Sequence, residues 1–272
     1  MDTKQTVAII GEGAYGSALG TIMIANGHTV RFLDHNPPAP EPPKYPPLIE
    51  ILQDATVVVL AIPSQFVPEF LANFPAEYKN LPFISAVKGI LDPKVFDGFP
   101  QFSVLSGPAF AKELNQQKPT SLTATSQVVI DLLSTDRLNV ELTNDVIGIL
   151  ACGALKNCYA VGAGLLELQP DTEALDKYIE KSLHELQEAI RLLGGEPKTA
   201  DLACGIGDLK LTCGSPSLSR NYQFGRELTH NPNSLPTVTT EGVTTLLSLP
   251  SELSSLPILR GILQKIPQKQ PQ

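Results

Sequence analysis

Short apolar runs alternate with helical stripes along the first half of the chain. TVAII (6–10), TVRFL (29–33), TVVVLAI (56–62), PFISAV (82–87), FSVLS (102–106), TSLTATS (120–126) and RLNVEL (137–142) are rich in aliphatic and β-branched residues, as strands are. Between the first two runs, SALGTIMIAN carries a helical pattern closed by Gly27, and LIEILQDA (48–55) reads as a short helix before the third strand. Residues 37–47 hold seven prolines, so neither a helix nor a central strand can form there, and the segment reads as an extended connector. Past Thr143–Asp145 the strand signals stop. Helical patterns then occupy 145–168, 173–193, 218–229, 240–248 and 256–266, and a polar tail follows Pro267. The pattern predicts an α/β domain over 1–144 and an all-α domain over 145–272.

The turn between the first strand and the first helix is GEGAYG, with glycines at Gly11, Gly13 and Gly16. Gly11 permits the tight turn, Gly13 lets a pyrophosphate approach the backbone, and Gly16 lets the helix pack close to the strand. The helix N-terminus offers free N–H groups to the phosphate. Strand, glycine turn, helix and strand occur in the order of a βαβ unit, which makes the first domain a Rossmann-like dinucleotide-binding domain. Asp34 ends the second strand. A carboxylate there accepts hydrogen bonds from the ribose hydroxyls and repels a 2′-phosphate, so NAD is slightly favoured over NADP. Arg31 and His35 lie close enough in sequence to offset that preference, and Asp-His-Asn-Pro is also ordinary turn chemistry.

One charge stands alone in the longest apolar segment. Residues 146–166 read VIGILACGALKNCYAVGAGLL, with Lys156 at the centre. Either the ammonium snorkels to the edge of its helix, or it is buried and needs a partner, a lowered pKa, or both. No carboxylate lies within a turn of it, so any partner comes from a distant segment. The run is long enough to cross a membrane, but Lys156 and Asn157 interrupt its middle, and a core helix is the expectation.

Bulk properties narrow the function further. The chain has 272 residues, 42% of them hydrophobic, with a net charge of −8 and a pI near 5.0. That balance argues against nucleic acid or an anionic membrane as a partner. The start of the chain runs straight into a strand with no basic leader pattern, and the four cysteines form no CxxC pair, which points to buried thiols in a reducing cytoplasm. The four histidines show no metal spacing, and no metal is expected.

The segments VAIIGEGAYGSALG, ISAVKGI, LSGPAFAKEL, TNDVIGILACGALKN, GIGDLKLTC and SLSRNYQFG, in that order, resemble the NAD(P)-dependent glycerol-3-phosphate dehydrogenases of the bacterial type. The resemblance implies reversible hydride transfer between a nicotinamide and C2 of a phosphorylated three-carbon substrate. The pair is dihydroxyacetone phosphate and sn-glycerol 3-phosphate, a precursor of glycerophospholipids. By the same resemblance Lys156 is the catalytic lysine and Asp208 the active-site aspartate that holds it. Lys88, Gly107, Thr212, Ser219, Arg220 and Asn221 also meet the substrate. Gly11, Gly13, Ala14, Tyr15, Gly16, Asp34, His35, Lys88, Ala111, Arg220 and Glu241 fall on the cofactor side. The sequence leaves the oligomeric state open, a homodimer included. Taken by itself, SRN also reads as a helix N-cap with a solvated arginine, and Asp208 as a turn residue after Gly207.

Several positions depart from the family pattern. The proline run replaces a longer connection, Ala109 stands where a hydroxyl is frequent, Lys181 stands where arginine is typical, and SLPSELSSLP breaks a longer helix. Two functions of different kinds remain open on this reading. One is an active dehydrogenase, for this substrate or for another small hydroxyacid or phosphorylated alcohol. The other is a nucleotide-binding sensor or scaffold that has lost turnover.

Overall fold

The computed structural model describes residues 4–33, 47–234 and 240–267. It divides into two compact units, Met1–Val87 with Asp92–Val146, and Lys88–Leu91 with Ile147–Gln272. The short stretch that follows the fourth strand, beginning at Lys88, therefore belongs with the second unit.

The first unit is built on seven strands: β1 (Thr6–Ile10), β2 (Thr29–Leu33), β3 (Val57–Leu60), β4 (Phe83–Ser85), β5 (Phe102–Ser106), β6 (Thr120–Ala124) and β7 (Leu138–Leu142). The sheet order is β2-β1-β3-β4-β5-β6-β7, parallel except for the β5–β6 pair. Four of the five β1 residues and all of β3 are buried, which explains their nearly continuous apolar sequences. The strand order reverses at β1, with β2 on one side and β3 on the other. The glycine turn thus leaves the sheet at a topological switch point, where α/β folds bind ligands. Helix α1 (Ala14–Ala25) follows the turn and packs Ala18, Leu19 and Met23 into the core with Val7, Ile9 and Val59.

Four short helices lie between the later strands, three of them without a period in their composition. They are α2 (Leu48–Leu52), α3 (Val67–Ala72), α4 (Ala111–Asn115) and α5 (Gln127–Leu133), and of these only α2 has a sequence signal. Ser126, expected to end a strand, instead caps α5 by accepting a hydrogen bond from the Val128 N–H at 3.2 Å. The VVI triplet that follows favours a strand locally. Burial of Val129, Leu132 and Leu133 against the sheet decides for helix. The proline run lies outside the described residues except for Pro47, which precedes α2.

The second unit is helical: α6 (Val146–Leu165), α7 (Glu173–Leu192), α8 (Asp208–Cys213), α9 (Arg220–His230), α10 (Glu241–Leu247), α11 (Ser251–Ser254) and α12 (Pro257–Leu263). By length and composition α6 could cross a membrane, but 89% of its apolar window is buried inside the protein, as expected for a core helix. Every residue from Gly148 to Gly164 is buried. Such a helix has no polar face, so its neighbours must surround it. Helix α7 is the opposite case. It buries Leu175, Tyr178, Ile179, Leu186 and Ile190 along one stripe and turns Lys177 and Lys181 to solvent. Neither α8 nor α11 was legible in the sequence. Each is shorter than two turns and too brief to show a period.

Helices α6 and α9 touch backbone to backbone. A Cβ at Gly164 would fall on the Tyr222 carbonyl oxygen, and one at Gly225 would fall on that of Val161 and within 3.0 Å of the Leu165 nitrogen. Gly225→Ala is therefore expected to lower unfolding stability by about 2 kcal/mol or more. Gly261→Ala in α12, where a Cβ meets nothing within 4 Å, should be neutral or stabilising by about 0.5–1 kcal/mol. Urea denaturation of the two variants checks this, and equal midpoints would contradict the close crossing.

Candidate active site

Lys156 is 3% exposed and Asp208 1%. Asp208 reaches its place through tight local geometry. A π-helical turn, Ala203–Gly207, leads into α8 and puts Asp208 at the first helical position, away from α6 in sequence but against it in space. Gly205 makes that turn possible, because a Cβ there would strike the Ala200 backbone.

Asp208 Oδ2 forms an ion pair with Lys156 Nζ, and the Lys88 ammonium lies 3.9 Å from the same oxygen. Oδ1 accepts a hydrogen bond from the Thr212 hydroxyl at 3.2 Å, one turn along α8. Two lysines thus share one buried carboxylate. Burial pulls the Lys156 pKa down to about 7, the attraction of Asp208 works against that, and repulsion from Lys88 adds to it. An amine poised there can give or take a proton near neutral pH. Burial also pushes up the thiols of Cys158 and Cys213, so neither is a ready nucleophile beside the lysine.

The Ser219–Asn221 triplet divides its work. Ser219 is buried and caps α9 by accepting from the Tyr222 N–H at 3.2 Å, the role that the sequence also allowed. Asn221 donates its amide to Asn157 Oδ1 at 2.9 Å, and its own Oδ1 accepts from the Gly242 N–H at 3.0 Å. Arg220 is exposed and makes no ion pair among the described residues. Asn157 was not among the residues marked from the sequence, although it is the only other strongly polar side chain in the middle of that apolar run. Asn157 follows Lys156 and Asn221 follows Arg220 in the chain, so this bond ties α6 next to the lysine to the first turn of α9. Glu241 opens α10 beside Gly242.

The glycine turn is described within the first unit. Gly11 adopts φ +107°, and a Cβ on it would meet the Ala61 carbonyl oxygen at 2.6 Å. A Cβ on Gly16 would strike the Gly11 carbonyl, which explains the third glycine. Gly13 is different. It precedes α1, has no side-chain cap, and a Cβ there meets nothing within 4 Å. No protein atom requires that glycine, which stands at the N-terminus of α1. This is the shape a dinucleotide pyrophosphate fits. Gly107 has a structural cause instead, because at φ +149° it lies against the β6 backbone, 2.9 Å from Leu122 Cα. Ala111 opens α4, and Asp34 and His35 lie outside the described residues. Arg31 donates to the carbonyls of Glu50 and Gln53 and so serves α2. Among the described residues, no cluster of His, Cys, Asp and Glu could hold a metal.

The shared carboxylate makes a direct prediction. In Lys88→Met the repulsion is gone, so the Lys156 titration should move upward from about 7. Lysine side-chain NMR across a pH series reads this without substrate. A midpoint that stays put would remove Lys88 from the electrostatics of the site.

The family model described as NAD-dependent glycerol-3-phosphate dehydrogenase N-terminus matches residues 43–129, and the corresponding C-terminus model matches 145–269. A protein of Acaryochloris marina named glycerol-3-phosphate dehydrogenase [NAD(P)+] is 35% identical over 266 residues, covering 88% of this chain and 82% of its own length. One of the same name from Legionella pneumophila is 31% identical over 260 residues, covering 82% and 78%. The crystal structure of glycerol-3-phosphate dehydrogenase from Coxiella burnetii shares the fold with a TM-score of 0.76 at 22% identity, covering 96% of this chain and 98% of that one. The yeast enzyme of that name gives 0.75 at 19%, covering 99% and 97%. Family models and relatives together span both units, and the chain belongs to the NAD-dependent glycerol-3-phosphate dehydrogenase family.

Proposed function

We propose that the chain interconverts dihydroxyacetone phosphate and sn-glycerol 3-phosphate with NAD(P)H, and that Lys156 is its acid and base. The observation that carries this reading is the buried Lys156–Asp208 pair with Lys88 at its edge. When bound, the nicotinamide supplies hydride to C2 or takes it back. The residues of the chain handle the proton and the phosphate. In the reducing direction the Lys156 ammonium polarises the C2 carbonyl and gives its proton to the forming alkoxide. In the oxidising direction the neutral amine takes the proton of the C2 hydroxyl. A pKa near 7 populates both forms at neutral pH, as a reversible reaction needs. Asp208 holds the ammonium in one orientation, and Thr212 holds Asp208.

The substrate is an anion, and two lysines on one carboxylate leave a net positive charge to receive it. Arg220 at the start of α9 adds a guanidinium whose fork matches a phosphate. The Asn157–Asn221 bond joins the residues that follow Lys156 and Arg220 in the chain. Gly11, Gly13 and Gly16 with the first turn of α1 would hold the pyrophosphate of the cofactor. A sensor without turnover has no use for a buried pair of this kind. Once turnover is lost, replacement by apolar residues would remove the desolvation cost.

Lys156→Ala should lower turnover by about a thousandfold or more while NADH affinity stays within about twofold of the parent, because the glycine turn belongs to the other unit. Arg220→Lys keeps the charge but loses the fork, and should raise KM for dihydroxyacetone phosphate about tenfold with a smaller change in kcat. NADH absorbance in steady state measures both. Normal turnover in Lys156→Ala would end the acid–base assignment. A parent chain that binds NADH but never consumes it would favour the sensor.

A further inference from the structure

Glu185 is the second buried carboxylate of the helical unit, 8% exposed, and the proton chemistry above does not use it. It lies on the buried stripe of α7, one turn past Ser182. Its Oε2 accepts from the Ile258 N–H at 2.6 Å and its Oε1 from the Leu259 N–H at 2.9 Å. Those are orphan donors in the first turn of α12. The residue that should cap that helix, Leu256, has no side chain able to do so. The carboxylate also meets the positive end of the α12 dipole. Desolvation raises the pKa of Glu185, and the two backbone bonds and the Tyr159 hydroxyl oppose that rise.

Helix α12 leads back to the active site. Its Ile262 covers Gly162 on α6, where a Cβ would come within 2.6 Å of Ile262 Cδ1. The helix also packs against α10. The first turn of α10 holds Gly242, whose N–H anchors Asn221 and whose carbonyl accepts from the Cys158 thiol at 3.5 Å. A Cβ at Gly242 would fall on the Asn157 carbonyl, so α10 lies against α6 directly beside Lys156. The carboxylate of Glu185 therefore fixes α12, α12 supports α10, and α10 fixes the Asn221–Asn157 bond.

We propose that Glu185 is a positioning residue for the substrate site: by capping α12 it holds α10, and through Gly242 it sets Asn221 and Asn157 beside Lys156. The proposal rests on the dehydrogenase reading for its kinetic consequence, though not for its structural one. It also gives a role to the broken C-terminal helix, in which SLPSELSSLP interrupts the run. The interruption creates the new helix start that Glu185 caps.

Hydrogen–deuterium exchange and steady-state kinetics on the full chain test this, with Glu185→Gln and Ile262→Ala as variants. Glutamine turns one acceptor into a donor facing an N–H. Amides of 258–263 and of 241–247 should then exchange about tenfold faster, the scale of one lost hydrogen bond. KM for dihydroxyacetone phosphate should rise about fivefold, with a smaller change in the NADH dissociation constant. Ile262→Ala leaves the cap intact and should give the same pattern more weakly, and it decides the matter if Glu185→Gln does not fold. Faster exchange confined to 258–263, or a lowered melting temperature with unchanged KM, would make Glu185 a helix cap and nothing more. Exchange is read without substrate. A parent chain that fails to reduce dihydroxyacetone phosphate would therefore overturn the dehydrogenase reading and leave the coupling test standing.

Discussion

The structure of the helical unit depends on one requirement: an ammonium sits in the middle of a helix buried on all sides. Lys156 cannot be hydrated there, and no carboxylate on its own helix can reach it. The chain meets the requirement by bringing Asp208 from a separate segment, through a π-helical turn that needs glycine at 205. The cost of removing the pair from water is large and is only partly returned by their attraction. What remains is a lysine whose pKa falls to about 7. The same feature that weakens the case for the pair as a stabilising contact makes it suited to moving protons.

Close backbone packing is what keeps that arrangement in register. Gly164 and Gly225 let α6 and α9 touch, Gly242 lets α10 approach the chain at Asn157, and Gly162 accepts Tyr178 and Ile262. Interiors packed this densely transmit small displacements, so residues without access to substrate can still place those that have it. The Tyr178 hydroxyl, which donates to the Tyr159 carbonyl at 2.8 Å, is another tie of this type between α7 and α6.

Three of the departures from the family pattern fall in described residues. Lys181 is on the solvent face of α7. Ala109 is packed in the core of the first unit, and an alanine there fills apolar space. The break after α10 produces two short helices, and the carboxylate of Glu185 supplies the cap that the sequence around Leu256 lacks.

The sequence alone determined whatever is encoded by local period or by residue type at fixed spacing. The seven strands, the glycine turn, the long helices α6 and α7 and the solitary lysine were all legible, because strand and helix periods and the Gly11–Gly13–Gly16 spacing are one-dimensional signals. The roles of Asp208, Arg220 and Asn221 came from resemblance and not from any pattern in the residues themselves. Tertiary structure decided the rest. It made α5 a helix despite its β-branched residues, gave Ser219 to the helix cap, spent the Asn221 amide on Asn157 and Gly242, and attached Lys88 to the second unit. It also gave Glu185, an ordinary glutamate by sequence, two backbone N–H groups 73 and 74 residues away in the chain. Local propensities are tenths of a kcal/mol per residue, whereas burying a side chain or stranding a buried polar group involves whole kcal/mol. Where the two disagreed, burial and hydrogen-bond satisfaction prevailed, and those exist only once distant segments have met.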